Sequence, residues 1–116
     1  MTIKIFHNPR CSKSRQTLTI LEDNGIDVDI IEYLKEYPNK ETLLQIINLL
    51  DIKPRDLMRK GETVYKEKLL NSENLTDDDI VQFMVDNPIL IERPIVYDDN
   101  RAIIGRPPEN VLIFLK

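Results

Sequence analysis

The sequence predicts an α/β fold with a mixed central sheet, and three observations carry that prediction. An alternating apolar run opens the chain and is followed by a Pro-broken turn, one helical stretch and a second alternating run, the signature of a βαβ unit with parallel strands. A long middle stretch carries only helical periodicity. Near the end, two β-rich runs flank a tight polar turn and precede a Pro-led helix, which adds an antiparallel hairpin to the parallel pair.

Each element has a local cause. Thr2-Ile3-Lys4-Ile5-Phe6 alternates as a short strand with one face against a core. His7-Asn8-Pro9 stops it, because Pro9 biases Asn8 away from helical dihedrals. Residues 14–24 then form a helix, with Leu18 and Leu21 at helical spacing and Gly25 as a left-handed cap. Ile26, Val28 and Ile30 alternate in a second strand over residues 26–31. Between Asn39 and Leu50, the residues Leu43, Leu44, Ile47 and Leu50 make one helical stripe, which residues 51–54 end. Residues 55–75 predict short helical turns and loop around Leu57, Met58, Leu69 and Leu70.

Thr76 before Asp77, Asp78 and Asp79 reads as an N-cap with acidic residues at the positive end of a helix dipole. Ile80, Phe83 and Met84 supply that helix's apolar face, and Asn87-Pro88 closes it. Pro94-Ile95-Val96-Tyr97 and Ala102-Ile103-Ile104-Gly105 flank Asp98-Asp99-Asn100 as strand, turn and strand. Pro107-Pro108-Glu109 opens a last helix with Val111, Leu112 and Leu115 on its apolar side. The expected order is βαβ, a helical insertion at about 39–87, and ββα, all within one domain of residues 1–116.

Composition narrows the function classes. Hydrophobic residues at 41% and charged residues at 31% suit a globular chain and exclude disorder and collagen-like repeats. Sixteen Lys plus Arg against twenty Asp plus Glu give a net charge of -4, the wrong sign for gripping phosphate backbones, so no nucleic-acid partner is expected. No apolar run reaches membrane-spanning length, so no membrane partner is expected either. One cysteine, with no signal-peptide pattern, favours a reducing cytoplasm in which the thiol stays free. With one His and one Cys, a zinc site of the Cys/His type lacks ligands, so no metal is expected. Nothing demands a dimer, and a monomer is expected.

Cys11 is the most informative residue. It precedes Ser12, Lys13 and Ser14 at a helix start, where unpaired N–H groups and the dipole favour thiolate. A helix terminus gives up to ~2 kcal/mol and one pKa unit is worth about 1.4 kcal/mol. The turn alone therefore lowers the thiol by roughly one unit, and full ionisation needs further cations. Arg10, Lys13, Arg15 and His7 are the local candidates, with Lys13 and Arg15 open to a merely solvated role. The plainer alternative makes Cys11 a small buried hydrophobe, against which its polar, Pro-broken turn argues. His7 either tunes the thiol or caps the strand. A Ser-His-Asp site is disfavoured because no nucleophile-elbow glycines surround a serine.

Four runs then carry a family resemblance. His7-Asn8-Pro9-Arg10-Cys11-Ser12-Lys13-Ser14-Arg15, Leu57-Met58-Arg59-Lys60, the run from Asn87 through Glu92-Arg93-Pro94-Ile95, and Ile104-Gly105-Arg106-Pro107-Pro108-Glu109 appear in family order. Together they closely resemble the glutaredoxin-linked arsenate reductases, and most of all their short, YfgD-like subgroup. The resemblance implies a thioredoxin-like fold with a helical insertion and Cys11 as the redox nucleophile. It implies Arg59, Arg93 and Arg106 as three oxyanion-binding arginines and Pro94 as a cis-proline beside the site, with His7, Asn8, Ser14 and Arg15 in support. It further implies arsenate as substrate, glutathione as co-substrate, glutaredoxin as partner and no bound cofactor. The chemistry agrees, because arginine forks hold paired oxygens of a tetrahedral anion in fixed geometry.

Ser14 stands where a CxxC motif would place its second thiol, so external thiols become obligatory. Arg10, Ser12 and Lys13 depart from the small or uncharged residues of the best-known members. The family also holds Spx-like transcription regulators that sense thiol stress. That leaves a non-catalytic regulator or oxyanion-binding protein as the rival reading, which the CxxS pattern and the three matching arginines disfavour.

Overall fold

The computed structural model describes residues 2–59, 61–63, 65 and 75–115. Lys60, Leu69, Leu70 and the side chain of Leu115, all used in the sequence reading, lie outside the described residues. The chain divides into two compact units, Met1–Glu36 with Arg93–Lys116, and Tyr37–Glu92.

The first unit is built on a four-stranded sheet: β1 (Ile3–Phe6), β2 (Val28–Ile31), β3 (Ile95–Tyr97) and β4 (Ala102–Ile104), in the order β2-β1-β3-β4. β1 runs parallel to β2 and antiparallel to β3, with Ile5 opposite both Ile30 and Val96, and β3 pairs antiparallel with β4. The sheet is therefore mixed, as expected.

One expectation about β1 fails. The alternation suggested a strand with one buried face, but β1 is an interior strand covered on both sides. Ile5 joins Val96, Leu21, Val111 and Phe114 in a core beneath α1 (Ser12–Asp23) and the final helix. Phe6 points the other way, stacking on Tyr33 at 5.9 Å and meeting Tyr97 edge-on at 5.4 Å.

Helix ends explain the shifted boundaries. α1 begins at Ser12 rather than Ser14 because Cys11 itself is the N-cap, with φ -93 and ψ 123. At the other end Gly25 takes φ 73, its N–H bonds the Glu22 carbonyl and the Ile26 N–H bonds the Leu21 carbonyl, both at 3.0 Å. This Schellman closure occupies Ile26, so β2 starts at Val28 and not at Ile26. The last helix, Pro108–Leu115, is wound as a 3-10 helix, opened by a 3.0 Å bond from the Asn110 N–H to the Pro107 carbonyl.

The second unit packs α2 (Lys40–Leu50) against α3 (Asp77–Asp86). Asn39 caps α2 by accepting from the Thr42 N–H at 2.8 Å, and Asp51 closes it in the left-handed region at φ 54. Its buried residues are Leu43, Ile46 and Ile47, with Leu44 turned outward, so the stripe is centred differently from the expected one. Thr76 and Asp79 exchange backbone-to-side-chain bonds of 3.0 and 3.1 Å, the capping box expected for α3. Ile80, Val81 and Met84 form its buried face, and Phe83 is only half-buried. Lys40 and Asp78 join the two helices by an ion pair at 2.6 Å. Short 3-10 turns at Pro54–Leu57 and Pro88–Leu90 are tied together by bonds from the Arg59 N–H to the Leu90 carbonyl (2.7 Å) and from the Glu92 N–H to the Leu57 carbonyl (2.8 Å).

Candidate active site

The end of β1 sets the loop. The His7 N–H still bonds the Ile31 carbonyl at 2.9 Å, and there the ladder stops. Asn8 then folds the chain back: its Oδ1 accepts from the Arg10 N–H at 3.0 Å and its carbonyl accepts from the Cys11 N–H at 2.9 Å. This tight turn delivers Cys11 to the N-cap of α1 with its sulfur at the open end of the helix.

Ser14 locks the turn from inside. Its hydroxyl is fully buried, accepts from the Asn8 N–H at 3.0 Å and lies 2.7 Å from His7 Nδ1. With the Asn8 bond donated to it, the hydroxyl can give its own proton to Nδ1, which leaves a neutral ring protonated at Nε2. Burial agrees, pushing the His7 pKa below its ordinary value, with Arg15 acting in the same direction against Glu32 and Glu22. Arg15 Nη1 donates to the Pro9 carbonyl at 2.9 Å and straps the loop to the helix.

Two loops from the hairpin bring the cations. The Arg93-Pro94 and Arg106-Pro107 peptides are both cis. Between those loops the Gly105 N–H bonds the Pro94 carbonyl at 2.9 Å, and Arg106 Nε donates to the Arg93 carbonyl at 2.7 Å. So anchored, Arg106 extends its Nη2 to 3.6 Å from Cys11 Sγ.

Opposing effects act on the thiol. Only 9% of Cys11 is exposed, and burial pushes its pKa up. The Ser14 N–H, Arg93, the Lys13 N–H and Arg106 outweigh that, and the net displacement is below the ordinary thiol value. The Cys11 side chain makes no capping bond to α1, and the N–H groups of Ser14 and Lys13 favour its ionised form. The plainer reading of Cys11 was thus correct about burial, but its surroundings are donors and cations. The charges that lower it belong to Arg93 and Arg106, whereas the neighbouring Lys13 contributes through its backbone.

The first unit thus brings together His7, Asn8, Cys11, Ser14, Arg15, Arg93, Pro94 and Arg106. Arg59 belongs to the second unit, where it is 26% exposed and its Nη1 pairs with Glu62 Oε1 at 2.6 Å.

Two further residues went unread in the sequence. Thr17 is fully buried in α1; its hydroxyl lies 2.8 Å from the Lys13 carbonyl and 3.4 Å from that of Gly105. A Cβ at Gly105 would fall 2.6 Å from Thr17 Oγ1 and 2.9 Å from Pro94 Cγ. Only glycine lets the Arg106 loop approach α1 this closely. The available signal was a glycine immediately before an Arg-Pro pair, in a chain with three glycines.

A mixed sheet with a thiol at the first helix start and a cis-proline leading into β3 defines a protein of the thioredoxin-like class. A family model described as the ArsC family matches residues 6–114. The chain is 47% identical over 111 residues to the uncharacterized protein YfgD of Escherichia coli strain K12, covering 95% of this chain and 93% of that one. It is 44% identical over 110 residues to the arsenate reductase of Neisseria meningitidis, covering 94% of each. The solved arsenate reductase of Vibrio cholerae superimposes with a TM-score of 0.92 at 45% identity, covering 97% of both chains. The chain belongs to the ArsC family.

Proposed function

We propose that the protein is an arsenate reductase that uses Cys11 as nucleophile and glutathione and glutaredoxin as reductants. The observation that carries this reading is the 3.6 Å approach of Arg106 Nη2 to Cys11 Sγ, with Arg93 contributing a second cation to the same sulfur. A sulfur whose ionised form is favoured by guanidinium groups is a nucleophile already placed beside anion-binding forks.

Cys11 Sγ attacks the arsenic of arsenate, a sulfur–arsenic bond forms, and one oxygen leaves as hydroxide and takes up a proton to become water. Arg93 and Arg106 neutralise the remaining oxygens, and Arg59 acts as a third oxyanion-binding arginine on the strength of the family motif. Arsenic is still pentavalent at this stage. Because the chain has a single cysteine, both reducing thiols must come from outside. Glutathione sulfur bonds to arsenic, displacing a second oxygen. Glutaredoxin thiolate then attacks that glutathione sulfur; the arsenic–sulfur bond breaks, its electron pair reduces arsenic to the trivalent state, and a mixed disulfide remains on glutaredoxin. Water releases arsenite and restores the Cys11 thiol.

No prosthetic group enters this sequence, and the free thiol it requires suits a monomer working in the reducing cytoplasm. Among the described residues no helix is long and apolar enough to cross a membrane, and no three His, Cys, Asp or Glu side chains converge as metal ligands would.

The test is a coupled assay with arsenate, glutathione, glutaredoxin, glutathione reductase and NADPH. Arsenate-dependent NADPH consumption that disappears in Cys11→Ser is expected. An enzyme preparation that alkylates normally at Cys11 yet gives no arsenate-dependent turnover would favour the regulator or oxyanion-binding alternative.

A further inference from the structure

A solvent-open cleft of about 600 Å³ begins at Ser12, the residue after Cys11, and none of its lining residues binds substrate in the chemistry proposed for the thiol. One wall is the outer stripe of α1, formed by Ser12, Arg15, Gln16, Thr19 and Ile20; the other is the start of the last 3-10 helix, Pro108 and Glu109. Both walls begin next to the reacting groups along the chain. Ser12 follows Cys11 directly, Pro108 stands just beyond the Arg106-Pro107 pair, and Arg106 and Cys11 are themselves 3.6 Å apart.

The polar groups of this cleft are largely uncommitted. Among the described residues the Glu109 carboxylate forms no ion pair, and the side chains of Ser12, Gln16 and Thr19 make no hydrogen bonds. Arg15 uses Nη1 on the Pro9 carbonyl and keeps further N–H donors to spare. The cleft therefore offers one cation, one anion and several neutral hydrogen-bonding groups. Its size falls within the roughly 300–1,000 Å³ of small-molecule sites.

We propose that this cleft seats the small thiol co-substrate, glutathione, during its attack on the Cys11–arsenic adduct; the proposal rests on the arsenate reductase reading. Glutathione carries two carboxylates, one ammonium and two peptide groups. Arg15 meets a carboxylate, Glu109 meets the ammonium, and Ser12, Gln16 and Thr19 meet the peptide groups. A ligand lying in a groove whose first wall residue, Ser12, directly follows Cys11 brings its own thiol towards the adduct with most of the encounter entropy already spent. In the step served, the glutathione sulfur bonds to arsenic while one arsenic–oxygen bond breaks, the oxygen leaving as hydroxide and taking up the thiol proton as water. The electrons that reduce arsenic move later, when the glutaredoxin thiolate attacks the bound glutathione sulfur.

The experiment titrates 15N-labelled protein with S-methylglutathione, which cannot react, and follows backbone amide shifts. Shifts concentrated at residues 12–20 and 108–110 are expected. Glu109→Lys should weaken this binding by roughly fivefold or more, the size of converting an exposed attraction into a repulsion. In the coupled assay the same variant should raise the glutathione KM by a similar factor and leave the arsenate KM and the Cys11 alkylation rate unchanged. Gln16→Glu, on the opposite wall, should act in the same direction by repelling carboxylates. Shifts on another face, unchanged glutathione KM in both variants, or a raised KM for glutaredoxin alone would overturn the proposal. Wild-type protein without arsenate turnover would sink the reductase reading instead, and the titration would still report on the cleft.

Discussion

The two units bury different kinds of atoms. In the sheet unit the interior holds His7, Ser14, Thr17 and Asp98, each bonded to the backbone or to another side chain. In the helical unit the buried residues described are apolar or aromatic, among them Leu43, Ile46, Leu57, Ile80, Met84 and Leu90. Buried polar groups cost stability unless they are satisfied, so a fold accumulates them where position matters more than packing. Three of the four lie around the Cys11 loop; the fourth, Asp98, accepts the Asn100 and Arg101 N–H groups at 2.8 Å and fixes the hairpin turn. The contrast teaches that one unit is organised for chemistry and the other for packing. Arg59 is the exception to test.

The largest effect should come from Arg106→Ala. Removing a preorganised charged donor from a reacting centre costs about 10²–10³ in turnover, and the coupled assay should show a loss of that order with the midpoint of thermal unfolding little changed. Turnover within a few-fold of wild type would remove Arg106 from the site.

Arg59→Ala probes the exception. If the helical unit supplies an oxyanion-binding group, turnover should fall about tenfold or more, the worth of one charge-assisted hydrogen bond. Equal turnover would confine Arg59 to its ion pair with Glu62.

Gly105→Ala asks whether close packing positions the arginine loop. The added methyl meets Thr17 Oγ1 and Pro94 Cγ inside contact distance, and overpacking of this kind costs about 1–3 kcal/mol. Urea unfolding should show that loss, and iodoacetamide should alkylate the variant's thiol with a higher pH midpoint as Arg106 withdraws. Thr17→Ser, which keeps the hydroxyl, should leave that midpoint in place.

The smallest effect is a pH dependence. His7 has a folded pKa below its unfolded value, so the unfolded chain binds more protons and stability rises with pH. The contribution is complete above the unfolded value of about 6.5 and is lost as pH falls through the lower folded value. Urea midpoints between neutral and mildly acidic pH should decline in the wild type and flatten in His7→Phe. An equal slope in both would assign the effect to carboxylates elsewhere.

The order of strands and helices was legible because its signals are local: alternation in Ile3 to Phe6, the Thr76 cap, Gly25 and the paired prolines. What escaped depends on neighbours far along the chain. Nothing in five alternating residues says that a strand will be interior, so the burial of Phe6 against Tyr33 and Tyr97 required the sheet order. The same holds at the site. The N-cap position of Cys11 could be read from its turn, but the cations that act on it come from Arg93 and Arg106. Residue-level reading without the family motif offered His7, Arg10, Lys13 and Arg15 instead, because those are near in sequence. The Thr17–Gly105 contact links residues 88 positions apart and leaves only a glycine as its trace.

The proposed chemistry depends most on the ionisation of one sulfur, and a chain with a single cysteine allows that to be measured without ambiguity. Titration of thiolate absorbance in the ultraviolet, in wild type and in Arg106→Ala, reads it directly. A wild-type midpoint below the free-thiol value of about 8.5, moved upward in the variant, is the predicted result. A midpoint at or above that value, or one indifferent to Arg106, would contradict it.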